Sequence, residues 1–210
     1  MNSGSDYNPP ATGATLLQRQ DELDALRLLI AQKRMYSRAK RWLGVRWFGM
    51  LVIGLAAPIA TVVWPQSAVV VGSIAGAWLF TGRTLLMVMQ RKGTERAAAV
   101  QEQFDLYVYE MPPGTPRPKL PSLEEISSAA GPDAELVAVA SREKMSRWYV
   151  VSKDDAGAVA VAIAQRSNAA YSFRLLRTTG VVWSIVAVVW VSTLTVICVV
   201  AGLSLATFLL

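Results

Sequence analysis

The sequence predicts a mainly α-helical membrane protein with a transmembrane helical hairpin, a small cytosolic α/β insert built on extended juxtamembrane helices, a third span and a truncated fourth. The stretches 47–64, 67–90 and 180–210 contain only one charged residue, Arg83, although the chain has 21 basic and 15 acidic residues. Charged residues make up 17% of the 210 residues, against about a quarter in soluble domains. Long uncharged apolar runs are typical of membrane spans.

The N-terminal part of the chain is polar. Residues 1–15 are rich in Ser, Gly, Pro and Asn, which predicts disorder, and they lack the pattern of a cleaved signal peptide, so we expect the N-terminus to be kept. Residues 16–46 predict one cytosolic juxtamembrane helix, with Leu23, Leu26 and Leu29 near helical spacing. Its basic residues either fix the orientation of the first span or belong to a helix that packs on the cytosolic domain: Lys33, Arg34, Arg38, Lys40, Arg41 and Arg46.

Two spans are predicted to form a tight hairpin over residues 47–90. The first runs over 47–64 with a tryptophan at each end, and the second over 67–90. Tryptophan favours the membrane interface, so the pair brackets the hydrocarbon layer. Basic residues precede the first span and follow the second, and none lies in the 65–66 turn. The positive-inside rule therefore predicts that the N-terminus and residue 91 are cytosolic.

Residues 91–179 are predicted to form a cytosolic insert domain. Its basic and acidic residues nearly balance, which is unlike a nucleic-acid-binding surface, so no nucleic-acid partner is expected. Asp105–Glu110 (DLYVYE) alternates as a strand does, and 135–140 fits a strand or a helical turn. Other elements are predicted in the order helix, proline-rich loop, capped short helix and long helix: 91–104, 111–121, from Ser122 and 156–179.

The last uncharged run, 180–210, is longer than one span requires. As a helix it would measure roughly 46 Å, against a hydrocarbon layer of about 30 Å. We therefore predict a third span over about 180–200, a turn near 201–202 and the start of a fourth span. Because the sequence stops inside this run, we expect the chain to be truncated.

Two features of the second span suggest function. Ala68, Gly72 and Gly76 recur every four residues, and such small residues allow close helix packing, either against the chain's own first span or between protomers. Arg83 has no acidic residue in any predicted span to pair with. Its side chain either extends to the cytosolic headgroups or faces water in an oligomeric pore. Membrane lipid and further copies of the chain are therefore the predicted partners.

Composition excludes several kinds of catalysis. The chain has no histidine and one cysteine, Cys198, so nucleophile–histidine pairs, histidine zinc sites and CxxC metal sites are all excluded. It also lacks Walker A, GxGxxG, GxSxG and HExxH motifs. We therefore predict no catalytic residues, no metal site and no cofactor, and hence a protein that is not an enzyme.

A group of polar and aromatic residues near the end of the insert offers a candidate site for a ligand or signal. Glutamine, asparagine and serine can hydrogen-bond a phosphate or a base edge, and arginine can pair with a phosphate. The same residues could instead make internal hydrogen bonds that fix their helix. The candidates are Gln165, Arg166, Ser167, Asn168, Tyr171, Trp148 and Tyr149.

Four segments together resemble the bacterial SMODS-associating four-transmembrane effector family, predicted pore formers of cyclic-oligonucleotide anti-phage (CBASS) systems. They are Arg19–Leu43 (RQDELDALRLLIAQKRMYSRAKRWL), the hairpin with basic residues after it, Phe104–Pro112 (FDLYVYEMP), and Arg147–Arg177 with its RWYVV and IAQRSNAAYSFRLLR stretches. The resemblance covers nearly all of 16–200. The sequence departs from the family in lacking a complete fourth span and a C-terminal tail.

The resemblance implies a multi-pass effector of the bacterial inner membrane. It further implies a partner nucleotidyltransferase whose cyclic nucleotide acts on the insert, after which self-association permeabilises the membrane and kills or arrests the infected cell. The alternative is a membrane-anchored regulatory or partner-recruiting subunit without pore activity, whose spans serve only as anchors.

Overall fold

The computed structural model describes residues 10–112, 120–200 and 202, which are almost entirely helical. The prediction of a mainly α protein with several apolar helices is confirmed. The helices of the described part are α1 (Gly13–Arg19), α2 (Leu23–Val63), α3 (Ala68–Thr81), α4 (Met87–Tyr109), α5 (Leu123–Ala130), α6 (Asp133–Arg142) and α7 (Gly157–Val200), with a 3₁₀ turn at Pro65–Ser67 and a π-helical turn at Gly82–Leu86.

The described residues divide into two compact units. The polar unit contains those up to Lys40 together with those of Arg91–Tyr171, and the apolar unit contains Arg41–Gln90 together with the described residues from Ser172 onward. Helices α2, α4 and α7 each have residues in both units. Three helices are therefore shared between the two units.

The polar unit has a hydrophobic core to which α1, α2 and α4–α7 all contribute. Apolar residues three or four positions apart lie on one face of a helix, and burial of that face drives the packing. Full burial of a Val, Leu, Ile, Phe or Met side chain contributes about 1.5–3 kcal/mol. Members of this core include Leu16, Leu26, Ile30, Phe104, Val108, Ile126, Leu136, Met145 and Ala160.

The start of the chain differs from the prediction. Residues 10–15, which were predicted to be disordered, are ordered: the Thr12 hydroxyl caps α1, and the Ala11 N–H donates to the Tyr109 carbonyl at 3.0 Å. A Cβ on Gly13 would lie 1.9 Å from the Ser152 carbonyl oxygen, so only glycine fits this close approach. Residues 1–9, also predicted to be disordered, lie outside the described residues.

The predicted single helix over 16–46 is wrong at one point, because the chain breaks between α1 and α2. Turn hydrogen bonds at Asp21 and Glu22 separate the two helices. The preceding Gln20 is fully buried and bonded to the backbone of Tyr149. This distant partner, which local sequence does not reveal, accompanies the break.

The predicted strand at Asp105–Glu110 is also wrong, because these residues complete α4 and the turn after it. Phe104 and Val108 are four residues apart and both buried in the core, which is helical spacing. Residues 135–140, for which strand and helix were both open, lie in α6. The described part of the insert contains no strand, so the expected α/β domain is instead helical there.

Several local predictions are confirmed. The Ser122 side chain accepts from the Glu125 N–H while the Glu125 side chain accepts from the Ser122 N–H, the reciprocal pair that starts α5. The helix predicted over 91–104 is part of α4, and the long helix predicted from 156 is α7, which begins at Gly157. Much of the proline-rich loop, residues 113–119, lies outside the described residues.

The apolar unit contains the stretches predicted to span a membrane. Three helical stretches, Leu23–Val63, Pro65–Tyr109 and Gly157–Val200, are long and apolar enough to cross one. The 3₁₀ turn at Pro65–Ser67 is the sharp connection predicted for the hairpin. Gly202 has a φ of +62° and donates to the Val199 carbonyl, but residues 201 and 203–210, where the start of a fourth span was predicted, lie outside the described residues.

Candidate functional site

The most polar part of the core is built around Tyr149. Its hydroxyl donates to Asp105 Oδ1 at 2.6 Å and accepts from Asn168 Nδ2 at 2.8 Å. Gln20 binds the Tyr149 backbone on both sides, accepting from its N–H at 2.7 Å and donating to its carbonyl at 3.3 Å. We call Gln20, Asp105, Tyr109, Tyr149 and Asn168 the Tyr149 cluster. It joins the α1–α2 turn, α4, the α6–α7 connection and α7.

Burial controls the electrostatics of the Tyr149 cluster. It raises the pKa of Asp105 to about 6, although the hydrogen bond from Tyr149 opposes this shift. Burial and the nearby Asp105 carboxylate raise the pKa of Tyr149, which stays a neutral donor at physiological pH. Burial also raises the pKa of Tyr109 to about 12. The Tyr109 hydroxyl is buried near that of Tyr149 but makes no hydrogen bond of good geometry with it. The cluster therefore contains one buried hydroxyl without a hydrogen-bond partner among the described residues.

A cleft of about 390 Å³ adjoins the Tyr149 cluster in the polar unit. It offers two amide side chains, two carboxylates and an aromatic side chain. Such groups suit the donors and acceptors of a neutral planar ligand, whereas the carboxylates disfavour an anion inside the cleft. Its lining residues are Ala98, Gln101, Glu102, Asp105, Leu106, Tyr109, Met111 and Gln165.

The candidate ligand residues do not all meet at this cleft. Gln165 lines it, and Asn168 reaches Tyr149 directly, which is the internal hydrogen bond considered as an alternative. The Trp148 and Tyr171 rings meet edge to face with their centroids 6.4 Å apart. The two remaining candidates, Arg166 and Ser167, are exposed and do not line the cleft.

Sequence reasoning missed Gln20, Asp105 and Tyr109 as members of the cluster. Asp105 and Tyr109 are four residues apart, so a helical interpretation of this segment would have placed them on one face. Gln20 gave no local signal, because its partner Tyr149 is 129 residues away.

Two of the predicted juxtamembrane basic residues are engaged inside the polar unit. Lys33 pairs with Glu143 at 2.7 Å, and Arg34 donates to the Ala129 and Ala130 carbonyls at the end of α5. A cation is favourable at a helix C-terminus, where free carbonyls concentrate negative charge. These contacts agree with a helix that packs on the insert domain. The others, Arg38, Lys40, Arg41 and Arg46, make no ion pair within the described part of the chain.

The small-residue face of α3, formed by Ala68, Gly72 and Gly76, is exposed. Nothing lies within 4 Å of the position of a Cβ on Gly72 or Gly76. One of the two predicted uses of this face was packing against the chain's own first span. Within the described residues that prediction is wrong. Gly49 of α2 packs against the indole of Trp78 instead. The option of packing between protomers stays open.

The pH dependence of stability tests the Tyr149 cluster. Because the folded pKa of Asp105, about 6, exceeds its ordinary value of 3.8, ionisation opposes folding, and stability falls as pH rises through this range. Lowering the pH from 7.5 to 5 should recover about 1 kcal/mol through Asp105. The variant Asp105→Asn should lose this component of the pH response in thermal unfolding, whereas Asp154→Asn, at an exposed carboxylate, should keep it. An unchanged response in Asp105→Asn would contradict this assignment.

These features define a polytopic α-helical membrane protein whose long apolar helices continue from a small helical domain with a buried polar cluster. The sequence profile of the SMODS-associating 4TM effector domain matches residues 14–210, and the chain belongs to this family. It is therefore a membrane effector associated with SMODS-type systems, a family that is not a known class of enzyme. No match was found among curated proteins or solved structures.

Proposed function

We propose that this chain is the inner-membrane effector of a bacterial anti-phage system signalled by a cyclic nucleotide, and that it oligomerises to permeabilise the membrane. The open face of α3 is the observation that carries this proposal. In lipid, helices associate through close packing of small residues because no hydrophobic driving force brings them together. Ala68, Gly72 and Gly76 form such a surface: all three are exposed, and nothing lies within 4 Å of the position of a Cβ on Gly72 or Gly76.

The polar unit is the proposed receiver of the signal. Positive residues before residue 47 and after residue 90 favour a cytosolic location for this unit, where a nucleotide made by a partner nucleotidyltransferase would meet it. The cleft beside Gln165 suits a base, because Gln101 and Asp105 offer a donor–acceptor edge. The carboxylates of the cleft would repel the phosphates of such a ligand. The phosphates would therefore stay outside the cleft, where Arg166 is exposed.

The Tyr149 cluster is the proposed link between ligand and spans. Tyr149 bonds to Asp105 on α4 and to Asn168 on α7, and both helices have further residues in the apolar unit. A ligand that competes for these side chains would bind one arrangement of α4 and α7 better than the other. The ligand would shift the equilibrium between the two arrangements only as far as its affinities for them differ.

Permeabilisation is tested in cells that co-express the effector with its nucleotidyltransferase. During phage infection, wild-type cells should lose membrane potential and take up an impermeant dye. Gly76→Leu should abolish toxicity and dye entry while leaving membrane insertion intact, because a bulky side chain blocks close approach at the open face. The matched control is Gly180→Leu, at another glycine with nothing within 4 Å, and it should behave as wild type.

Intact membrane potential in cells that nevertheless arrest would refute pore formation and favour the anchored-subunit alternative. Replacing all spans with an unrelated transmembrane hairpin separates the two functions independently, since an anchor tolerates this exchange and a pore former does not.

A further inference from the structure

A second cleft, of about 460 Å³, lies in the apolar unit and combines basic, aromatic and apolar groups. Arg46 and Arg83 supply the charge, two tryptophans supply aromatic surface, and the remaining lining is largely aliphatic. We call it the Arg46–Arg83 cleft. Its lining residues are Arg46, Trp47, Met50, Trp78, Leu79, Gly82, Arg83 and Met87.

The backbone of the second span is adapted at this cleft. A Cβ on Gly82 would lie 3.3 Å from Cγ of Arg46, so the absence of a side chain lets Arg46 lie close against Gly82. Gly82 begins the π-helical turn Gly82–Leu86, which contains Arg83. π-helical turns are rare and occur frequently at functional sites.

The polar groups of the cleft make no ion pair or side-chain hydrogen bond within the described residues. Residues 41–90 contain no Asp or Glu, and neither Arg46 nor Arg83 makes an ion pair in the described part of the chain. The Arg46 guanidinium instead lies over the Trp47 ring, 5.7 Å from its centroid. The Trp78 Nε1–H is buried and finds no acceptor among those residues. Two cations and a buried donor therefore adjoin one cleft without an anion.

The position of the cleft along the hairpin identifies the environment. Roughly 24–27 Å of helix separates Arg46 and Arg83 from the Pro65–Ser67 turn, against a hydrocarbon layer of about 30 Å. A hairpin that crosses the bilayer with this turn at one surface would hold both guanidinium groups at the depth where phospholipid headgroups meet the acyl chains. Met50 and Leu79 add apolar surface suited to an acyl chain.

We propose that the Arg46–Arg83 cleft binds the phosphate of an anionic phospholipid. Arginine pairs with phosphate oxygens through two parallel N–H donors, and the Trp78 Nε1–H offers a third donor. A soluble phosphate shares this chemistry, but it would gain nothing from the aliphatic lining. The lipid would neutralise two cations that the chain itself leaves unpaired.

Binding is measured on the purified full-length chain by native mass spectrometry, with phosphatidylglycerol and phosphatidylcholine offered at equal concentration. The wild-type chain should retain phosphatidylglycerol preferentially. Arg46→Gln and Arg83→Gln should each weaken that binding about fivefold, the change expected for one basic residue at an anionic surface. Arg177→Gln, which removes the same charge next to the third span, should change binding by less than about twofold.

Arg83→Lys is the control for a folding defect in Arg83→Gln. Because this variant keeps the positive charge, it should retain most of the preference for phosphatidylglycerol. An equal loss of lipid in Arg177→Gln, or no loss in Arg46→Gln and Arg83→Gln, would overturn the proposal. Displacement of the lipid by inorganic phosphate would overturn it in favour of a site for soluble phosphate.

Discussion

Replacement of Gln20 by alanine should destabilise the polar unit by about 2–6 kcal/mol. Gln20 is fully buried, and its amide satisfies both the N–H and the carbonyl of Tyr149. Alanine would leave two buried backbone groups without partners, at about 1–3 kcal/mol each. The loss should appear as faster hydrogen exchange in α5 and α6, which lie in the polar unit alone.

The matched control is Gln18→Ala, because Gln18 lies in the last turn of α1, two residues before Gln20, with an exposed side chain. This variant removes the same chemical group. It should change the free energy of opening measured by hydrogen exchange by no more than about 0.5 kcal/mol. Equal protection in Gln20→Ala and Gln18→Ala would show that water replaces the amide without cost, and the Tyr149 cluster would then not depend on Gln20.

The apolar helices could be predicted because membrane spanning imposes a one-dimensional rule on the sequence. A span needs a long run without charges, and 47–64, 67–90 and 180–200 satisfy this requirement without reference to any other segment. The start of α5 was equally local, since Ser122 and Glu125 are three residues apart. Signals that lie within one or two helical turns are visible in a single sequence.

Elements decided by distant contacts were missed for the opposite reason. Asp105–Glu110 alternates as a strand does, yet it also places Asp105 and Tyr109 four residues apart, as a helix requires. Packing of Phe104 and Val108 in the core accompanies the helical choice. The break after Gln20 involves Tyr149, far along the chain, and no local pattern reports such a pair.

The candidate site shows the same division. Tyr149 and Asn168 were selected for their side-chain chemistry, and they do meet. Their third partner, Asp105, was hidden by the incorrect strand assignment. On the spans, spacing identified the small-residue face of α3 but could not say that Gly49, on the neighbouring helix, packs against the Trp78 indole.

Gly49→Leu should destabilise the α2–α3 hairpin by about 3 kcal/mol, the upper part of the range for overpacking a filled interface. A Cβ at Gly49 would lie 2.0 Å from Cζ2 and 2.2 Å from Cε2 of Trp78, so the rigid indole has to leave its position. The change is measured as the shift in the midpoint of denaturation by sodium dodecyl sulfate for the full chain in bicelles.

The control for this prediction is Gly44→Leu on the same helix, where nothing lies within 4 Å of the Cβ position. Both substitutions replace glycine by a better helix former, which alone stabilises by nearly 1 kcal/mol. Gly44→Leu should therefore be neutral or stabilising, and only contact with Trp78 can give Gly49→Leu the opposite sign. If both variants shifted the midpoint in the same direction, Gly49 would not be the point of contact between the two spans, and the hairpin would be held by other residues.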